Sequence, residues 1–307
     1  MKPLILALND GDPTGLTAAL AHALDAESGT LETRRFPDGE TYLRVHATAA
    51  QRDVVIAGSL DRPDDKLVRL YLLASTLRDL GARRVLLAAP YLAYMRQDRT
   101  FHEGEGVSAR YVAGWLSGCL DGLVTVDPHL HRIHTLDEVY RCPSRVVAAA
   151  PAIAAWIAAN VDAPLLLGPD AESEQWVVQV AELAHCPYVV LEKQRHGDRD
   201  VEVSVPQVER WREHTPVLID DIVSTARTMI ATVRHLQVAD LPAPVCVAVH
   251  AIFADTAYHD LLRSGARRVV TCNSIAHPSN LINLHPRIAD ALHKLLRPDA
   301  PFLRSLS

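Results

Sequence analysis

The chain has 307 residues, 49% hydrophobic and 22% charged, enough for two domains with cores of their own. A formal net charge of −6 and a pI near 6.2 give no basic footprint for nucleic acid or a membrane surface, so its basic loops address small anions. The five cysteines (119, 142, 186, 246 and 272) make no CxxC pair and no disulfide or zinc spacing, which suits a reducing cytoplasm.

Pro3 to Leu8 is too short for a signal segment and reads as a first strand. Further apolar runs at 53–57, 84–89, 122–126, 164–168, 187–191, 216–220, 245–250 and 268–272 read as buried strands. Helical periodicity falls between many of them, at 14–25, 65–80, 107–119, 172–184 and 224–237. The run from 146 to 161 is short of a membrane span and contains Pro151 and Asn160, so it reads as a buried helix starting near the proline. Alternation of this kind predicts an α/β chain of mainly parallel sheets flanked by helices. Leu80-Gly81-Ala82-Arg83-Arg84-Val85 is echoed by Ser264-Gly265-Ala266-Arg267-Arg268-Val269, which points to a duplicated domain with a join between 141 and 150. The expected division is 1–145 and 146–307, with a loose tail after Pro298.

Five segments carry polar chemistry at turns or strand ends. Arg35-Phe36-Pro37-Asp38-Gly39-Glu40 sets an aromatic ring beside two acids in a turn, able to stack on a base and accept from its amine or a ribose. Pro90 to Arg99 follows a buried strand; Arg96 and Arg99 can grip phosphates and Gln97 can bond a base or ribose. Val124 to Arg132 runs from a strand into Asp127 and His129, which can serve a metal or a triphosphate; His129, His131 and His134 lack a fourth ligand at zinc spacing. In Leu167-Gly168-Pro169-Asp170 the aspartate is a hard-oxygen ligand suited to Mg²⁺. In Glu192-Lys193-Gln194-Arg195 two cations stand two residues apart, before a polar 196–200 stretch that reads as a flap.

Residues 216 to 231, PVLIDDIVSTARTMIA, are the most informative. An apolar run ends in Asp220 and Asp221, then the hydroxyls of Ser224, Thr225 and Thr228 precede a helical pattern. Ligands of open α/β sheets bind beyond the carboxyl ends of the strands, and a helix start attracts phosphate. Paired acids for sugar hydroxyls followed by a loop for phosphate suit a sugar phosphate. Taken singly, each segment also has an ordinary structural explanation: a helix cap, a packed turn or a solvated charged loop. No GxxxxGK[ST], GxGxxG or GxSxG is present, so another phosphate grip is required.

FPDGE (36–40), PYLAYMRQDR (90–99), TVDPH (125–129), GPD (168–170), EKQR (192–195) and DDIVSTART (220–228) together resemble the ordered motif set of the ribose-phosphate diphosphokinases, or PRPP synthetases. DPHLHR and EKQRHGDRDVEV look closer to the archaeal-type members. The resemblance implies two tandem phosphoribosyltransferase-like domains and transfer of the β,γ-diphosphoryl group of Mg–ATP to the 1-hydroxyl of ribose 5-phosphate, giving PRPP and AMP for nucleotide biosynthesis. It implies that Phe36, Asp38, Gly39 and Glu40 hold adenosine from a neighbouring subunit of a homo-oligomer. Arg96, Gln97 and Arg99 would meet ATP, His129 and Asp170 would belong to the Mg²⁺ site, and Lys193 and Arg195 would flank the reacting phosphorus. Asp220, Asp221, Ser224, Thr225, Ala226, Arg227 and Thr228, with Arg195, would bind ribose 5-phosphate. The family loop usually has glycines where this chain has Ala226 and Arg227, and an alanine there predicts a negative φ. A phosphoribosyltransferase would share only the 224–228 loop. A non-catalytic regulatory subunit would have lost Lys193, Arg195 or His129, and all three are present.

Overall fold

The computed structural model describes residues 1–9, 11–168, 174–196, 200–204 and 208–297, without the side chains of 175, 192–196, 200–204 and 208–209. The chain forms two compact units: Met1–Val147 together with the chain from His285, and Ala148–Leu284.

The first unit contains β1 (Leu4–Ala7), α1 (Leu16–Ala23), β2 (Glu27–Ser28), the hairpin of β3 (Thr30–Arg35) and β4 (Thr41–His46), β5 (Asp53–Ala57), α2 (Pro63–Asp79), β6 (Arg84–Ala89), α3 (Ser108–Cys119), β7 (Gly122–Val126) and β8 (Ser144–Val147). The second contains α4 (Ala150–Asn160), β9 (Pro164–Gly168), α5 (Glu174–Ala184), β10 (Tyr188–Val190), the hairpin of β11 (Glu192–His196) and β12 (Asp200–Ser204), β13 (Thr215–Val223), α6 (Arg227–Val238), β14 (Val245–Ala251), α7 (Ala257–Arg263), β15 (Arg268–Cys272) and β16 (Asn280–Ile282). A final helix, α8 (His285–Leu296), belongs to the first unit.

Each unit is built on a parallel six-stranded sheet. The orders are β2-β1-β5-β6-β7-β8 and β10-β9-β13-β14-β15-β16. Position for position they are the same topology, with each hairpin inserted between the second and third strands of its sheet. The central strands read as unbroken apolar runs because both faces are covered: β5, β7 and β14 are buried throughout.

This topology corrects the sequence echo. Leu80–Val85 leads into β6, whereas Ser264–Val269 leads into β15, whose counterpart is β7. The echoed segments therefore stand one βα step out of register, and the duplication is carried by strand order instead. Their shared role is local: Gly81 (φ 79) and Gly265 (φ 108) end helices in a conformation that favours glycine.

The C-terminal boundary also differs from the expected 146–307 domain. Ile288, Ala289, Leu292 and Leu295 form the buried stripe of α8, at the spacing of one helix face, and the helix packs on α1, β7 and β8 of the first unit. Arg84 fixes its end by donating to the Leu295 and Leu296 carbonyls at 3.1 and 3.0 Å. These are helix-terminal acceptors at the negative end of the dipole.

Arg84 also shares the 5%-exposed Asp53 with Arg83, through contacts of 2.6–3.1 Å. Burial pushes the Asp53 carboxyl up, but hydrogen bonds and charge from Arg84 and Arg83 outweigh it and bring it down to about 2. A carboxylate depressed on folding contributes stability that is present above its unfolded pKa of about 4 and is lost as pH falls toward its folded value. Asp53→Asn is expected to cost roughly 3 kcal/mol, the scale for breaking a buried ion pair from one side. It should also flatten the loss of stability between about pH 4 and pH 2. Urea titrations across that range check both; an unchanged acid limb would contradict the assignment.

Candidate active site

Loops that leave the carboxyl ends of adjacent strands collect most of the polar segments singled out in the sequence. In the first unit, β5, β6 and β7 lie side by side and open into residues 58–62, 90–99 and 127–134. Backbone bonds tie the 90–99 segment to its neighbours: Leu60 N–H donates to Tyr91 O at 3.0 Å, and the N–H of Val126, the last residue of β7, to Pro90 O at 3.2 Å. The Arg132 N–H donates to Asp98 Oδ2 at 2.9 Å, so Asp98 ties the RQDR segment to the histidine segment. Nothing local marks this link; an acid between two arginines reads as their ion-pair partner. Ser108 Oγ donates to Gln97 Oε1 at 2.7 Å, which orients the carboxamide. Ser59, whose hydroxyl accepts from Tyr91 N–H at 3.3 Å, is a further missed member; its only signal was its place just after a buried run. Arg96 and Arg99 are exposed, and half-buried His129 packs its ring against His131 at 4.1 Å.

Phe36 to Glu40 form the tip of the β3–β4 hairpin, outside the six-stranded sheet and exposed throughout. Local bonds close it: Phe36 N–H to Glu40 O at 2.8 Å, Gly39 N–H to Phe36 O at 2.9 Å, and Glu40 N–H to Asp38 Oδ1 at 3.2 Å. Phe36, 39% exposed, lies under the Arg34 guanidinium, 4.5 Å from its centroid. Arg35 pairs with Asp65 at 2.6 Å, and the Tyr94 hydroxyl donates to Asp64. The hairpin and the 90–99 turn thus both anchor on the first turn of α2.

In the second unit the chain first crosses from β9 to β10, then returns to β13 on the other side of β9. The carboxyl ends of β9 and β13 therefore flank the topological switch point, where open α/β sheets bind ligands. Asp220 and Asp221 stand there, half-buried, within β13 rather than beyond it. Pairing continues past them, Ile222 with His250 and Val223 with Ala251, because β14 is long enough to support it. Adjacent strand residues point to opposite faces, so the two carboxylates are not equivalent. The Asp221 N–H donates to Asp220 Oδ1 at 2.9 Å.

Ser224 and Thr225 then turn the chain into α6. Ala254 N–H donates to Ser224 O at 3.1 Å, holding the turn against the loop after β14. Ala226 has φ 56 and ψ 10, a left-handed conformation, which overturns the expectation of a negative φ. Arg227 and Thr228 are exposed in a first turn that has no acidic residue. Beyond the end of β9, Asp170 lies outside the described residues. Lys193 and Arg195 occupy alternate positions of β11, opposite Val203 and Val201 of β12. His196 ends β11 and Asp200 begins β12; residues 197–199 of the flap expected at 196–200 lie outside the described residues.

Comparison with known proteins bears on both units. The family model for the N-terminal domain of ribose phosphate pyrophosphokinase matches residues 5–119, and the phosphoribosyl transferase domain model matches 136–285. A ribose-phosphate pyrophosphokinase of Methanopyrus kandleri is 32% identical over 295 residues, covering 95% of this chain and 99% of that protein. Its counterpart from Halobacterium salinarum is 33% identical over 291 residues, covering 94% and 100%. The crystal structure of phosphoribosylpyrophosphate synthetase from Mycobacterium smegmatis superposes with a TM-score of 0.83 at 22% identity over 96% of this chain and 99% of that one, a likeness of fold.

Proposed function

The chain belongs to the ribose-phosphate pyrophosphokinase family, and we propose that it transfers the β,γ-diphosphoryl group of ATP to the 1-hydroxyl of ribose 5-phosphate, releasing AMP. One observation carries the substrate assignment: at the switch point of the second sheet, two half-buried carboxylates precede an acid-free helix entry. Carboxylates accept from sugar hydroxyls, and the amides of 224–228 with the start of α6 receive the 5-phosphate. Arg227, exposed at the first helical position, adds a cation there.

In this scheme Arg96, Gln97 and Arg99 bind ATP, with Gln97 oriented by Ser108 and the arginine segment steadied by Asp98. Phe36, Asp38, Gly39 and Glu40 receive the adenosine of a neighbouring subunit in a homo-oligomer. Lys193 and Arg195, on the β11 arm, neutralise charge that spreads over the phosphoryl oxygens as the bond to the β-phosphorus forms and the bond to the α-phosphate oxygen breaks. Positioning and cationic stabilisation dominate such transfers.

Mg²⁺ prefers oxygen donors and keeps several waters and substrate phosphates in its shell. Among the described residues no group of three or more His, Cys, Asp or Glu side chains is placed to hold a metal ion. His129 and Asp170 would hold it, as the family resemblance implies. When bound, the ion would offset the negative charge of the phosphates. No described helix is long and apolar enough to cross a membrane, and all five cysteines are free.

The direct test is AMP formation by the purified protein with Mg–ATP. AMP should appear only when ribose 5-phosphate is present; hydrolysis indifferent to the sugar would refute the proposal. Replacing Asp220 and Asp221 with Asn should raise the KM for ribose 5-phosphate far more than that for ATP, since each carboxylate–hydroxyl bond lost costs about 1–3 kcal/mol. A selective loss of ATP affinity would transfer both acids to the metal–nucleotide site.

A further inference from the structure

We propose that Ala226 is a positioning residue for the phosphate: its buried methyl group locks the 224–228 loop in an anion-binding turn. The inference rests on that loop being the ribose 5-phosphate site.

The left-handed region brings an L-residue's Cβ against its own carbonyl, so a residue other than glycine stays there only when its surroundings hold it. Aspartates and asparagines often do so through local side-chain hydrogen bonds; alanine has none to offer. Ala163 also adopts positive φ (42) but is exposed. Ala226 is 7% exposed and its methyl sits in the core cluster with Val223, Met229, Val233 and Leu236. Its carbonyl accepts from Ile230 N–H at 2.8 Å, so α6 begins directly from the strained residue. A left-handed residue followed by a right-handed helix makes a nest, in which successive N–H groups converge on one point. The strain at Ala226 and the concavity for an anion are therefore the same backbone feature.

The duplicated topology supplies an internal contrast. The counterpart of Ala226 is Arg62, which also enters its helix left-handed, at φ 48 and ψ 67. Arg62 is exposed, and Pro63 behind it has no N–H. Asp64 and Asp65 then fill the first turn with negative charge. A left-handed helix entry thus appears twice, and only in the second unit is it both held in the core and free of acids.

Glycine would relieve the strain but also free the loop to leave the nest. An apparent affinity falls by the fraction of time the binding conformation is populated. Ala226→Gly should therefore raise the KM for ribose 5-phosphate by roughly fivefold, if the nest is populated about one-fifth of the time. kcat and the KM for ATP should stay within about twofold of the parent. Ala226→Ser, which keeps the Cβ, should retain the parent KM. An unchanged or lower KM in the glycine variant, an equal rise in the serine variant, or parallel changes in kcat and the KM for ATP would each overturn the proposal. The Asp220→Asn, Asp221→Asn protein, measured alongside, separates two failures. If it binds ribose 5-phosphate normally, the loop is not the sugar-phosphate site. If it loses binding while Ala226→Gly does not, only the role of Ala226 falls.

Discussion

Lys193→Ala should lower kcat by roughly 10² or more, the scale for losing one preorganised charge partner of a transition state. The expected loss falls on kcat because the cation acts on charge that develops only as the diphosphoryl group moves. The fold should survive. Position 193 lies on β11, paired with Val203 in a two-stranded hairpin that is separate from the six-stranded sheet. Steady-state kinetics with a circular dichroism control decide the point. A folded variant with near-parental kcat would remove Lys193 from the reaction.

The second large effect concerns assembly. Phe36 to Glu40 stand at the tip of an exposed hairpin outside their own sheet, closed by bonds among themselves. If the tip serves a neighbour, Phe36→Ala with Glu40→Ala in one chain and Lys193→Ala in another should each be nearly inactive alone. A two-fold interface presents the same patch twice, so each mixed dimer holds one site with both lesions and one with neither. Random exchange makes half of the dimers mixed, and roughly a quarter of the parental rate should return. No recovery after confirmed exchange, or full activity in a monomer at assay dilution, would contradict shared sites.

Much of the fold was legible because two-sided burial writes itself as unbroken apolar runs. β5, β6, β7, β9 and β15 begin and end where those runs do. The edge strands β2, β8 and β16 were not legible: they are two to four residues long, β8 and β16 only partly apolar and β2 without an apolar residue. The β3–β4 hairpin escaped because the face that packs on the core, through Leu31, Leu43 and Val45, is only half-buried, while Arg and Glu stand among the threonines. α8 was not singled out, and nothing local says which unit covers its apolar stripe; Arg84 and Asp53, some 200 residues earlier, help decide that. β13 runs through its acids because a partner strand continues beside them. The φ of Ala226 was missed because residue preference favours glycine there, whereas burial of one methyl group decides it.

The most direct test follows the diphosphoryl group itself. Phosphorus NMR of Mg–ATP, ribose 5-phosphate and the purified chain should show AMP and a sugar carrying a 1-diphosphate appearing in equal amounts. Appearance of ADP with a singly phosphorylated 1-position, or of AMP with free diphosphate, would show a different transfer and contradict the account.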